Sequence, residues 1–174
     1  MEENRTSLMK HVMTYGAIIG LSLVVYSILL YITGLTFSKG LGFIQYAILF
    51  VGIYLGSKVY RDRALGGFIT YGKALGLGVL ISVFVGIISV FFNFIMMRYI
   101  DPSLVEKYMA IVEDQLQNSR FIQADQIDDA IEKSRNAMTA VWSLPVGVLS
   151  FSIIGFIISL ITSLFVKKEP IPMS

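Results

Sequence analysis

Four long stretches without a charged side chain constrain this chain more than any other feature. They cover residues 12–38, 41–57, 74–97 and 136–166, and each is rich in Leu, Ile, Val, Phe, Gly and Ala. A helix needs about 20 residues to cross a hydrocarbon layer about 30 Å thick. Lipid offers no partners to backbone N–H and C=O groups, and the alternation typical of barrel strands is absent. The sequence therefore predicts an all-α integral membrane four-helix bundle.

The predicted spans cover approximately residues 11–33, 41–58, 73–97 and 142–166, within a single membrane domain over 1–174. The composition agrees, because 55% of the residues are hydrophobic and only 15% are charged. The alternatives are buried helices of a soluble protein or a signal peptide at the first stretch. A signal peptide has an apolar core of about 7–15 residues. The first stretch is much longer and passes into Tyr31, Thr33 and Gly34, which favours an uncleaved span.

The distribution of Lys and Arg predicts the orientation of these spans. One side collects eight basic and four acidic residues, whereas six basic residues on the other side share it with eight acids, mostly in one long loop. The eight basic residues are Arg5, Lys10, Lys58, Arg61, Arg63, Lys73, Lys167 and Lys168. We expect their side to be cytoplasmic, with both termini on it.

The segment 98–140 is the only sizeable part predicted to lie outside the bilayer, as an extracytoplasmic helical hairpin. Asp101-Pro102 should interrupt any helix that leaves the third span, and Ser103 and Glu106 have capping-box spacing. Asp125 is expected to open the second arm. Apolar residues then recur every three or four positions in each arm: Leu104, Val105, Tyr108, Met109, Ile111, Val112 and Leu116, then Ile127, Ala130, Ile131, Ala137, Met138 and Val141.

The apolar residues that recur along each arm of the hairpin form an apolar stripe, and two interpretations of these stripes remain open. The arms can pack on each other and on the bundle, or they can present an apolar face to a membrane or periplasmic protein partner. Within the spans, small residues recur at four-residue spacing and predict close helix packing, since lipid gives no hydrophobic drive for helix association. Packing within the chain is favoured, and a homo-oligomer seam is the alternative. These residues are Gly16, Gly20, Gly52, Gly56, Ala74, Gly78, Ser82, Gly86, Gly155, Ser159 and Ser163.

The sequence carries no motif that predicts chemistry. It contains no HExxH, GxSxG or P-loop and no cluster of His and carboxylates, so we expect no catalytic, cofactor-binding or metal residues, no cofactor and no enzymatic activity. His11, the only histidine, is interpreted as an interfacial side chain. Asn93 and Gln45 are expected to bond to a neighbouring helix or to interfacial water. Without cysteine, neither disulfides nor thiol chemistry are available.

The charges argue against two further classes of protein. The middle of each span lacks Asp, Glu, Lys and Arg, which argues against a coupled transporter. A net charge of only +2, with basic residues close to the membrane, argues against nucleic-acid binding. Lys58, Arg61, Arg63 and Lys73 are expected to contact the head groups of the lipid bilayer, and a dedicated phosphate or protein-docking site is the alternative.

Three features together resemble a known family. They are the stretch 66–74, GGFITYGKA, which opens the third span; the Asp101-Pro102 pair; and a glycine-bearing last span that closes with Lys167-Lys168. The chain resembles a bacterial family of small four-span membrane proteins of unknown function, DUF4199, over nearly its whole length. This resemblance implies a multi-pass protein of the bacterial inner (cytoplasmic) membrane. It supplies no catalytic or ligand residue, and implies at most a membrane partner for a polyprenyl-phosphate glycosyltransferase.

Three functions are compatible with this sequence. The favoured one is a non-enzymatic structural or accessory component of an envelope protein assembly. The alternatives are a small-solute or lipid transporter, or the membrane partner of a glycosyltransferase named above. A membrane enzyme would need polar side chains that converge at one interface of the folded protein.

Overall fold

The computed structural model describes residues 2–117, 124–139 and 143–169, and this part of the chain is mostly helical and contains no β-strand. It contains six α-helices and one π-helical turn. They are α1 Glu2–Ile32, α2 Lys39–Ala64, α3 Tyr71–Ile95, the π-helical turn Met96–Ile100, α4 Ser103–Gln117, α5 Ala124–Thr139 and α6 Ser143–Val166. Four segments are long and apolar enough to cross a membrane: Ser7–Ile32, Gly40–Ala64, Tyr71–Ile100 and Leu144–Val166. The predicted all-α fold with four spans is confirmed.

The chain divides into two compact units. The membrane unit comprises Met1–Ser89 and Val148–Ser174, and the hairpin unit comprises Val90–Gly147. The boundaries fall inside α3 and inside α6, so the hairpin unit includes the end of α3 and the start of α6 as well as α4 and α5. Of the predicted hairpin residues, Val141 lies outside the described residues, as do the side chains of Asp125, Ile127, Ala137 and Met138.

In the membrane unit, α3 packs against α1, α2 and α6 at positions where small residues allow close approach. A Cβ added at Gly16 of α1 would lie 2.6 Å from the Cβ of Phe84 on α3. A Cβ at Gly78 of α3 would lie 2.6 Å from the Oγ of Ser159 on α6 and 3.0 Å from Cγ2 of Ile53 on α2. The close helix packing predicted from the small-residue spacing is therefore present at these positions, and the contacts lie within one chain.

The helices α1 and α2 run antiparallel with a register set by two glycines of α2. Gly52 packs against Ile19, and Gly56 packs one turn further along against Tyr15. A Cβ at Gly52 would lie 2.5 Å from Cγ1 of Ile19, so the side chain of Ile19 occupies the space above the Gly52 backbone. This register decides which side chains of α1 and α2 meet where the two helices leave the apolar layer.

The interior of the membrane unit is filled by branched and aliphatic side chains. Lipid is as apolar as these residues, so their stabilisation comes from close van der Waals contact rather than from leaving water. The buried cluster comprises Val12, Ile19, Leu23, Leu49, Ile53, Tyr60, Leu77, Ile81 and Val85. Only 11–39% of each spanning window is buried inside the protein, and the apolar remainder faces outward, as expected for helices surrounded by lipid.

Candidate functional site

Most basic residues of the membrane unit gather at one end of it. Because α2 is antiparallel to α1, and α3 is antiparallel to α2 and α6, the starts of α1 and α3 lie near the ends of α2 and α6. We name this region the basic end. The basic residues there whose side chains are described are Lys10, Lys58, Arg61, Arg63, Lys73, Lys167 and Lys168.

At the basic end, the connection between α2 and α3 is tied to the chain that follows α6. Ile69 and Lys168 form an antiparallel bridge in which each N–H donates to the other carbonyl at 2.9 Å. Arg61 donates from Nη1 to the Val166 carbonyl at 3.0 Å and from Nε to Asp62 at 2.7 Å. Arg61 thereby satisfies a carbonyl in the last turn of α6, where no helical N–H is available. We name this arrangement, Arg61 with 65–70 and 166–168, the clasp.

The turn that leads into the clasp depends on Gly66 and Gly67, with φ of +64° and +90°. Residues that carry a side chain rarely adopt these backbone angles, so the two glycines provide the break predicted before the third span. The Lys168 ammonium lies 5.7 Å from the centre of the Phe68 ring. Two of the sequence features behind the family resemblance, the stretch 66–74 and Lys167-Lys168, therefore meet in the clasp. Their pairing carries no signal in the sequence, because it is made mainly by backbone groups.

A second feature of the basic end is a cavity of about 500 Å³ between α1 and α2. We name it the α1–α2 cavity. Lys10 and Arg63 lie on its wall together with apolar and aromatic side chains, and no acidic residue is among the described residues that line it. Sequence analysis singled out Arg63 as a lipid contact, but it did not place Lys10 beside it.

His11, interpreted from the sequence as an interfacial side chain, is a fixed part of this wall. Its Nε2–H donates to the Gly56 carbonyl at 2.8 Å, which joins α1 to α2. Its ring stacks on Tyr15 with the centroids 4.5 Å apart and lies 4.9 Å from the Tyr60 ring. His11 is therefore held by both helices, and a single histidine in a sequence gives no indication of such contacts.

The hairpin unit contains a separate pocket of about 230 Å³. Among the described residues, its lining combines apolar side chains with three charged ones: Phe94, Met97, Pro102 and Val105, with Arg98, Glu106 and Arg135. Glu106 accepts two hydrogen bonds from Arg135, at 2.7 and 3.0 Å, which joins α4 to α5. Arg98 is exposed and has no ion pair within the described ranges.

The start of α4 differs from the predicted capping box. Asp101 accepts from the backbone N–H of Ser103 at 3.0 Å and from its hydroxyl at 2.5 Å, so Asp101 caps the helix. Glu106 is paired with Arg135 instead of reaching back to Ser103. The interruption predicted at Asp101-Pro102 is present, and the π-helical turn Met96–Ile100 comes immediately before it. Such turns are frequent at functional sites, and this one carries Met97 and Arg98 of the pocket.

Part of the apolar stripe of α4 is covered. Leu104, Val105 and Met109 are buried, whereas Tyr108 remains 41% exposed. On the exposed face of α5, Lys133 and Asp129 form an ion pair at 2.6 Å. The hydrogen bond from this pair raises the pKa of the Lys133 ammonium. The hairpin unit thus has its own buried positions, and the pocket lies beside them.

Within the described ranges, no group of His, Asp and Glu side chains could hold a metal ion. Four spanning helices that pack through small residues define this chain as a helical membrane protein. It belongs to the family described as protein of unknown function (DUF4199), whose model matches residues 14–168. The match confirms the resemblance inferred from the sequence. Comparisons with curated proteins and with solved structures gave no match.

Proposed function

We propose that this protein is a non-enzymatic accessory component of an envelope protein assembly, and that a partner protein binds the pocket of the hairpin unit. The observation that carries the proposal is the pocket itself, in which Arg98, without an ion pair among the described residues, adjoins apolar side chains. Protein interfaces commonly use an arginine and an apolar anchor at such positions.

The chemistry of the pocket suggests the kind of partner segment. Phe94, Met97 and Val105 fit an apolar side chain, and Arg98 fits a carboxylate beside it. Arg135 is already bound to Glu106, so Arg98 is the cation available for a charge-assisted hydrogen bond. The partner segment therefore carries an Asp or Glu next to an apolar residue.

The membrane unit supports a structural role rather than transport. Its buried polar residues among the described ones are neutral hydroxyls: Ser57, Ser82, Ser89, Ser159, Thr162 and Ser163. Proton relays and ion pathways usually place ionisable groups within the spans. Here the middle of each span is filled by apolar side chains and small residues, which suit helix packing.

Reversal of the charge at Arg98 should weaken partner binding strongly, because a carboxylate there repels the acidic residue of the partner. A photo-reactive phenylalanine analogue at Tyr99, which is 73% exposed beside Arg98, would report the contact in native membranes. We expect one discrete adduct, reduced roughly tenfold or more by Arg98→Glu. The control Lys107→Glu makes the same charge change on α4 outside the pocket and should retain the adduct. An adduct unaffected by Arg98→Glu, or a reproducible lone monomer after gentle crosslinking, counts against the proposal.

We also propose that the basic end faces the cytoplasm of a bacterium, with both termini on that side and the segment 98–140 outside. Support comes from the seven basic residues gathered at this end. The chain has no cysteine, so single cysteines can be introduced without background. In intact spheroplasts an impermeant maleimide should label Gln115→Cys at once, and Lys73→Cys only after permeabilisation. The opposite labelling pattern contradicts this orientation.

A further inference from the structure

The α1–α2 cavity brings together two cations that the fold itself does not use. Lys10 comes from α1 and Arg63 from α2, and neither side chain has an ion pair or hydrogen bond within the described ranges. Arg61, two positions before Arg63, is by contrast engaged by Asp62 and Val166. None of the described lining residues is acidic, so none of them supplies a counter-ion to Lys10 or Arg63.

The wall of the cavity next to these cations is preformed, because contacts within the protein already hold its side chains in place. His11 is bonded to the Gly56 carbonyl and stacked on Tyr15, and Tyr60 is only 6% exposed. A site whose walls are already fixed loses less conformational freedom on binding than a flexible surface does. The exposed hydroxyl of Ser7, which also lines the cavity, adds a hydrogen-bond donor near Lys10.

One side of the cavity continues into an apolar row on the outer face of α1. Ile18 lines the cavity and is 55% exposed, and Leu21 and Val25 follow on the same face at 58% and 56% exposure. Spacings of three and four residues place these side chains one above another along the helix. The cavity therefore joins a positively charged end to a surface that faces lipid tails.

We propose that the α1–α2 cavity binds the phosphate head group of an anionic membrane phospholipid, a function beyond the partner binding proposed above. The phosphate lies between Lys10 and Arg63, and an acyl chain follows the row Ile18, Leu21 and Val25. The basic charge selects an anionic head group over a zwitterionic one. The apolar row selects a lipid over free phosphate, because a soluble anion makes no use of it.

Lipid binding by the purified full chain tests the proposal. The protein in mild detergent is titrated with phosphatidylglycerol, and bound lipid is counted by native mass spectrometry. Two charge-assisted contacts are lost in Lys10→Gln/Arg63→Gln, so binding should weaken roughly tenfold or more. Lys58→Gln/Lys73→Gln is the control, because it removes the same charge from the same end at residues that do not line the cavity. These two lysines are expected to contact head groups of the surrounding bilayer, which detergent replaces in this experiment, so their removal costs only screened long-range attraction and binding should stay within about twofold of the unmodified chain.

Further arms separate the lipid from other ligands. Phosphatidylcholine should bind much more weakly than phosphatidylglycerol, and millimolar inorganic phosphate should not displace the lipid. Equal binding of both lipids, displacement by inorganic phosphate, or an equal loss in the Lys58/Lys73 control overturns the proposal. Ala64→Glu keeps both cations and places a carboxylate on the exposed rim, so it tests the site independently if the double variant does not fold. Unchanged phosphatidylglycerol binding by a folded Ala64→Glu variant also overturns it.

Discussion

Replacement of Gly16 by alanine should destabilise the membrane unit by about 1–3 kcal/mol, the usual cost of an oversized side chain in a packed interior. The added Cβ would lie 2.6 Å from the Cβ of Phe84. The Phe84 Cβ is fixed to its helix backbone, so rotation of the ring cannot relieve the contact. α1 and α3 must therefore move apart, and the contacts of Gly20 with Ile88 along the same seam weaken with them.

The control for this variant is Gly76→Ala on α3. A Cβ at Gly76 meets nothing within 4 Å, so alanine there should be neutral or stabilise the helix by up to about 1 kcal/mol. Unfolding in mixed detergent micelles, followed by circular dichroism, measures both free-energy changes. Equal effects of the two substitutions would show that the α1–α3 seam is looser than the structure has it.

Removal of the Arg61 side chain should open the clasp. In Arg61→Ala the Val166 carbonyl loses its charged donor, and hydrogen bonds of this kind contribute about 1.5–3 kcal/mol. The side chain of Arg61 is 15% exposed, so water replaces it only in part. The sensitive readout is hydrogen exchange of the Lys168 amide, which donates to Ile69 and should be exposed more often when the end of α6 separates.

Two other substitutions sharpen the result for the clasp. Arg61→Lys keeps the charge but loses the fork that serves Asp62 and Val166 together, so exchange at Lys168 should remain faster than in the unmodified chain. Lys73→Ala removes a cation of the basic end that lies outside the clasp and should leave this exchange unchanged. If Lys73→Ala accelerates it as much as Arg61→Ala does, the effect is one of overall charge and the role given to Arg61 is wrong.

The four spans could be predicted because a long helix without charged side chains is suited to a lipid surrounding, and such stretches are visible in the sequence. The ends of the helices could not, since a helix continues into water wherever its backbone bonds are satisfied. α1 begins at Glu2 and α2 ends at Ala64, so both helices continue past the membrane spans predicted at about 11–33 and 41–58. Hydropathy locates the apolar layer, whereas the helix ends depend on caps and turns such as Gly66 and Gly67.

The sites at the basic end and in the hairpin unit were harder to predict for a different reason. Lys10 and Arg63 are far apart in sequence and line the same cavity only because Gly52 and Gly56 set the register of α2 against α1. The sequence shows these glycines, but it does not show which side chains of α1 pack against them. Glu106 illustrates the opposite error: its spacing from Ser103 predicts a cap, but Arg135 on α5 is the better partner once the hairpin has formed.

The clasp also bears on the order in which the protein can be assembled. Arg61 and Val166 are 105 positions apart, and chains are made from the N-terminus, so α1, α2 and α3 are complete long before the end of α6 exists. Until then, the face of α3 that carries Gly78 and Gly86 has no protein neighbour from α6. α6 is therefore the last helix to join the membrane unit. If synthesis stops before residue 143, α1, α2 and α3 can still pack together, and lipid covers the face of α3 that α6 would otherwise contact.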